Sequence, residues 1–360
     1  MNEKLNLLPV STWRWTGVNW AGDAAALPTP PAEGWGEAST ALSGLPAGVL
    51  RTETPPRLCA DLESGMGAAM DRFAAEHANT TCFLTAEGRA DAPVFLTHTL
   101  SGDRPAVVAH QTVYARAGSE LTVVEVCRAA EDVAGLCAAL TQIYAEAGAH
   151  VRLIQVQLLG GGSRRWSAVG VKTEAGAKVE LVRAELGGTL SACGSRAILA
   201  GENSEYDLDA VYFGDGDRVL DFNDVAEHVG RETVSELHSA GVLADRSDKI
   251  LRGTIDFRRG AVHAVGHESE DVLLFSPTAR GRTVPLILCG EERVEGQHAA
   301  TVGRLDEGKL YYLGSRGLSP AQARRMMVEA RFAPALEKLP DEALREEVIT
   351  YLGRRLDAHA

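Results

Sequence analysis

The 360-residue chain has no C-x-x-C pair, no G-x-x-x-x-G-K-[ST] loop, no G-x-S-x-G or H-E-x-x-H motif, and no apolar run approaching eighteen residues. The missing lysine-bearing loop excludes ATP binding through a P-loop, so no nucleotide site is expected. The missing hydrolase motifs remove the usual local signatures of a serine hydrolase or a zinc protease. Without a long apolar run, no segment is expected to span a membrane. The start, MNEKLNLLPVSTWRWTG, has no apolar core of signal-peptide length, so the expected location is cytoplasmic. Cys59, Cys82, Cys127, Cys137, Cys193 and Cys289 are scattered along the chain. Neither a disulfide framework nor a self-contained zinc or iron–sulfur site fits that spacing, and each cysteine is expected to be a small buried hydrophobe. Positive charge is also short, with 36 Lys+Arg against 49 Asp+Glu and a net charge of −13. That balance argues against nucleic acid and anionic membrane surfaces as partners. Aromatics are only 6%, whereas glycine is plentiful at 37 residues. Small-residue turns and stacked layers are favoured over a bulky aromatic core.

Prolines at 28, 30, 31, 55 and 56 make residues 1–60 irregular. Their Trp13, Trp15, Trp20 and Trp35 are expected to dock this arm on the body. Met66, Met70, Phe73 and His77 share one stripe and predict a helix over 62–78, with His77 at the core edge. From residue 81 the period changes to two. Internal similarity then emerges: AGSELTVVEV at 117–126, AGAHVRLIQV at 147–156 and AGAKVELVRA at 175–184, with weaker echoes at 202–214 and 216–224. Units of this kind cannot bury an apolar face alone and must stack on their neighbours. Alternating Val, Ile and Leu with Gly/Asn/Asp turns fit a β-solenoid, either a parallel β-helix or a coiled sheet sandwich. Within it, residues 129–146 read ambiguously, because Val133, Leu136, Leu140 and Tyr144 also match a helix. Acidic residues along the solenoid are expected on solvated faces, and Gly160–Ser163 is expected to be a flexible turn.

The β pattern ends near Leu313, and residues 319–357 read as helical. Ser319 is the expected N-cap with Pro320 at the first helical position. Pro334 is expected to break this helix. A second begins near Pro340, with Leu344, Val348, Leu352 and Leu356 at i+4 spacing. Chemistry-bearing groups are sparse: Asp221–Asp224 with Glu227 and His228, the pair His263 and His267, and His298. On spacing alone, polar rungs and turns explain each of them.

Residues 294–317, VEGQHAATVGRLDEGKLYYLGSRG, resemble the C-terminal signature of the SufB/SufD family, the scaffold proteins of SUF iron–sulfur cluster assembly. The matching positions are His298, Ala300, Thr301, Val302, Gly303, Asp306, Tyr311, Tyr312, Leu313, Ser315, Arg316 and Gly317. The segments 220–228 and 233–261, ELGG at 185–188 with Arg196, and TWRW at 12–15 are similar to further family elements. The HAATVG form followed by Ser-Arg-Gly points to the SufD-type branch. Two departures stand out: Ala299 replaces a glycine, and Gly296 stands where a cysteine is often found.

The resemblance implies a mainly β protein: a right-handed parallel β-helix over 81–315, an N-terminal irregular and helical segment over 1–80, and a C-terminal helical domain over 316–360. It implies a non-catalytic scaffold that pairs with a SufB-like subunit and docks a SufC-type ATPase, with a cysteine desulfurase complex as a further partner. It implies a transient iron–sulfur cluster shared with the partner subunit, for which His298 is the candidate ligand. Cys289 is expected in the core. The ATPase-docking residues implied are Ser315, Arg316, Gly317, Met326, Met327, Phe332, Leu336, Leu344 and Val348, because the helical stripes exceed what a two-helix pair can hide. The alternatives are a SufB-like subunit of a homodimeric scaffold and a β-helix carbohydrate-active enzyme. The latter needs a cleft of carboxylates.

Overall fold

The computed structural model describes residues 4–304 and 307–357. The similar segments found in the sequence become neighbouring parallel strands: Glu120–Ala129, His150–Leu158 and Lys178–Glu185 lie side by side, with Leu121 on Val151 and Val151 on Val179. Each is entered through a turn whose second-last residue is left-handed: Gly118 (φ 69°), Gly148 (φ 67°) and Gly176 (φ 63°). Glycine takes this conformation without steric cost, which explains the recurring Ala-Gly. In later coils the same place is held by Asn203, Glu232 and His263, all with positive φ. His263 is therefore a turn residue, stacked near Glu232 at 3.9 Å.

The strands form two nine-stranded sheets. Sheet A runs from Thr40–Leu42 through Val94–Leu100 to Glu295–Arg304, and sheet B from Val49–Thr52 through Thr80–Ala86 to Arg280–Cys289. In each, the first strand is antiparallel and the rest parallel. The chain thus winds a parallel β-solenoid of about eight turns. Its lumen is packed with residues of alternate parity from both sheets, among them Leu121, Val123, Val113, Ile143, Val151 and Val171.

Residues 129–146 settle as strand Leu136–Ala145, and all ten of its positions are buried. A strand covered on both faces loses its period of two, so its apolar residues also satisfy helical spacing. The expected helix over 62–78 is shorter. Helix α1 (Arg57–Ala60) and helix α2 (Ala68–His77) are separated by a segment in which Gly65 presses on the backbone of Ser195. A Cβ at Gly65 would lie 2.3 Å from the Ser195 nitrogen, so Met66 reaches the core from a loop. Gly160–Gly162 is a packed corner rather than a flexible turn: a Cβ at Gly160 would sit 2.0 Å from the Ala130 carbonyl oxygen.

The N-terminal arm lies on the outer face of sheet B. Leu5, Ala21 and Ala25 join Met66, Met70 and Phe73 over Val108, Leu140 and Trp166, and the Trp166 indole donates to the Ala25 carbonyl at 2.9 Å. The tryptophans divide. Trp35 packs edge-on to Phe73 and Trp20 is half-buried, but Trp13 and Trp15 are 71% and 80% exposed and meet each other edge to face. His77 is exposed at the end of α2 with its ring against Phe73.

At the other end β structure stops at Arg304, earlier than expected, and helix α3 (Glu307–Ser315) follows. Tyr311 and Tyr312 lie on α3, not on a strand. Helix α4 (Pro320–Leu336) starts with Ser319 accepting from the Gln322 amide while Gln322 accepts from Ser319. It runs through Pro334, so the break comes two residues later than the proline, and helix α5 (Glu342–Asp357) closes the chain.

Candidate functional site

The last coil has no further coil over it. Strand Glu295–Arg304 is exposed at nine of its ten positions, and strand Arg280–Cys289 is only half-covered. Both are sheet edges. His298 sits on this final strand, in register with Glu268. Register partners in a parallel pair share a face, so His298 has the same parity as buried Glu268 and projects at the mouth of the lumen. Ala299 does not have positive φ, so the replaced glycine carries no conformational demand. At Gly296 a Cβ would approach the Phe257 ring to 2.9 Å, which makes a cysteine there costly without movement of that ring. Cys289, expected in the core, is exposed at the end of its edge strand. Asp306 lies outside the described residues.

Below the mouth, the lumen carries charge, which corrects the expectation that acidic residues line solvated faces. Lys249 Nζ lies 2.5 Å from Glu270, which also accepts from Tyr212 at 2.7 Å. Arg183 meets Asp224 at 2.7 Å, and Arg165 meets Glu125 at 3.1 Å. Burial raises the Glu125 carboxyl, but the Arg165 guanidinium and the bond from His98 overcome it and hold it well below the usual carboxylate range. At Glu268 burial raises the carboxyl by more than the nearby Lys249 ammonium lowers it. Burial, with Glu270 nearby, pushes its carboxyl up to about 8, and its Oε2 has no partner. Gly253 makes room for it. The Asp221–Asp224 run is absorbed in these contacts. Asp221 pairs with Arg252 at 2.7 Å and takes the Asn6 amide at 2.7 Å, while His228 is buried between Thr233 and Ser235. His267 binds Glu236 at 2.8 Å on the outer face. The buried carboxylates were visible in outline: in LTVVEVC, Glu125 has the parity of Leu121, Val123 and Cys127.

The C-terminal stripes have a partner within the chain. Val328, Phe332, Ala335, Leu336, Leu344, Val348, Leu352 and Leu356 are buried on the outward residues of sheet A, including Val124, Val126, Ile154, Val182 and Phe213. Ion pairs frame this seam. Arg128 holds Glu347 by two bonds of 2.7 Å, Arg331 holds Asp271, and Arg355 holds Asp215. Phe332, Leu336, Leu344 and Val348, singled out for docking a partner, are instead buried here and fasten the helices to the solenoid. Of the residues singled out for docking, Ser315, Arg316, Gly317 and Met326 are exposed and Met327 is half-buried. Tyr311 and Tyr312 extend this surface, 81% and 56% exposed, with the Arg316 guanidinium 5.3 Å from the Tyr312 ring centre.

Among the described residues, no group of three or more His, Cys, Asp or Glu side chains is arranged to hold a metal ion, and no helix is long and apolar enough to cross a membrane. Residues 98–331 match the family described as SUF system FeS cluster assembly, SufBD core domain. The iron–sulfur cluster assembly protein SufD of Bacillus subtilis is 31% identical over 44% of this chain and 36% of its own length. The SufD protein of Escherichia coli is 27% identical over 68% of this chain and 57% of its own length. An iron–sulfur cluster assembly SufBD family protein of Pyrococcus horikoshii is 30% identical over 66% and 53%. The chain spans a third to just over half of the length of these relatives.

Proposed function

The chain belongs to the SufBD core family of iron–sulfur cluster assembly proteins, and from that premise we propose that it is a non-catalytic, cytoplasmic scaffold subunit of the SufD type. It pairs with a SufB-like subunit through the open end of its solenoid. The observation that carries this reading is the uncovered last coil. The edges of the two sheets, one on each side of the lumen, are both uncovered there, with Val302 51% exposed and Leu286, Ile287 and Leu288 only half-covered. Exposed edges and apolar surface of this kind are hazards unless a partner covers them.

His298 stands in the middle of that surface and supplies one neutral imidazole toward a transient iron–sulfur cluster whose other ligands come from the partner. The cluster is cargo of the assembly, and sulfur reaches it from a cysteine desulfurase complex. A SufC-type ATPase docks on Tyr311, Tyr312, Ser315, Arg316, Gly317, Met326 and Met327, where exposed tyrosine and arginine give the composition of an interface centre.

Co-expression with a SufB-like chain and a SufC-type ATPase tests the reading. One complex containing all three is expected, and His298→Ala is expected to lower its iron and sulfide content several-fold at unchanged subunit stoichiometry. The exposed position of His298 limits the stability cost to that of an ordinary surface change. Purification of the chain alone, or equal iron and sulfide in the variant complex, contradicts it. Self-association through the same open end would favour the homodimeric alternative.

A further inference from the structure

Cys127 lies on sheet A and Cys137 on sheet B, on strands that face each other across the lumen. Their sulfur atoms are 3.0 Å apart, close enough for one to donate to the other. The Arg165 guanidinium enters the same place. Its Nη1 lies 2.6 Å from Cys127 Sγ and 3.0 Å from Cys137 Sγ, and both Nη atoms reach Glu125 Oε1 at 3.1 Å. All four side chains are at most 1% exposed.

A guanidinium only donates and stays charged at any accessible pH, so its place at two sulfurs favours one of them as thiolate. The hydrogen bond from Cys127 holds the Cys137 thiol down against its burial, and Arg165 adds to the effect, while burial drives Cys127 up. The 3.0 Å sulfur–sulfur contact and the guanidinium at both sulfurs favour a thiol on Cys127 donating to a thiolate on Cys137. The same cation between the sulfurs opposes a metal ion there. Cys59 and Cys82 have no sulfur partner, and burial raises both.

We propose that Cys127 and Cys137 are a peroxide-reactive dithiol inside the solenoid that closes to a disulfide joining its two sheets. The oxidant is hydrogen peroxide or a small hydroperoxide. The Cys137 thiolate attacks the peroxide oxygen, the O–O bond breaks, and the leaving hydroxide takes a proton to become water. The Cys137 sulfenic acid that results is attacked by the Cys127 sulfur. The S–S bond forms, the S–O bond breaks, and the hydroxyl leaves as a second water with the Cys127 proton. Two thiols and one peroxide yield one disulfide and two waters, with two electrons passing from sulfur to oxygen. Access is short. Leu100 packs in the same apolar cluster as the two cysteines and also lines a cavity of about 750 Å³ between α5 and the solenoid.

The test uses the full folded chain, reduced and then exposed to hydrogen peroxide. Remaining thiols are alkylated in denaturant, and each cysteine is followed by peptide mass spectrometry. A Cys127–Cys137 cross-linked peptide, reversed by dithiothreitol and formed well ahead of any change at Cys59, Cys82 or Cys193, is expected. In Cys137→Ser, Cys127 is expected to remain a thiol at the same exposure. Between pH 6.5 and 8.5 the closure rate is expected to change by less than about tenfold, whereas an unassisted thiol would follow its ordinary ionisation over that range and change more. Recovery of both cysteines as thiols at doses that oxidise exposed Cys289 would overturn the proposal. So would a cross-link that forms only after unfolding.

Discussion

His228 shows how a residue that catches the eye in sequence acquires a structural role. It lies beside an Asp/Asn/Glu run, yet both ring nitrogens are bonded, to Thr233 and Ser235, and the ring stacks on Phe257. Burial lowers its pKa from 6.5 to about 4. The unfolded chain therefore binds a proton that the folded chain refuses. Stability from this group is full above about pH 6.5 and is lost as pH falls toward 4, by at most about 3 kcal/mol. Urea denaturation at pH 7 and at pH 4.5 should show a drop that is smaller in His228→Gln, and an identical drop in both proteins would refute this. No sequence pattern separates such a histidine from a ligand, because the difference is made by two hydroxyls that the next strand brings over it. Glu268 and His298 are a similar case: they are register partners on one face of the sheet, and the ending of the sheet leaves one buried and the other at an open mouth.

Elements were more legible than sites. The segments at 117–126, 147–156 and 175–184 announced themselves because in these coils a left-handed glycine and an alternating strand recur together. The capping of α4 by Ser319 was equally local. What failed was the allocation of apolar faces between elements far apart in sequence. The stripes of α4 and α5 match the outward Val124, Val126 and Val182, but alternation shows only that a strand has two faces, not what covers the outer one. The consequence is measurable. Phe332→Ala should cost about 3–5 kcal/mol in chemical denaturation, as for a buried aromatic removed from a packed core. Tyr311→Ala on the exposed face of α3 should leave stability nearly unchanged and weaken binding of the ATPase partner. If Phe332→Ala is neutral and only partner binding suffers, the helices are not fastened as described.

At the scale of the molecule, the solenoid is asymmetric. Its first coil is closed by antiparallel strands Thr40–Leu42 and Val49–Thr52, which turn the N-terminal segment into a cap. Its outer faces are covered by the N-terminal arm on sheet B and by α4 and α5 on sheet A. The last coil is left bare, and the first part of the family signature, His298 to Gly303, lies on it. The lumen carboxylates nearest that coil are Glu268 and Glu270, 5% and 3% exposed, so covering it would complete their burial. The most direct measurement is backbone hydrogen–deuterium exchange of the chain alone and in complex with a SufB-like subunit. Strong protection of residues 280–304 on complex formation, with residues 120–129 unchanged, is the predicted result. Unaltered exchange over 280–304 in a verified complex, with protection appearing elsewhere, would contradict pairing through the open end.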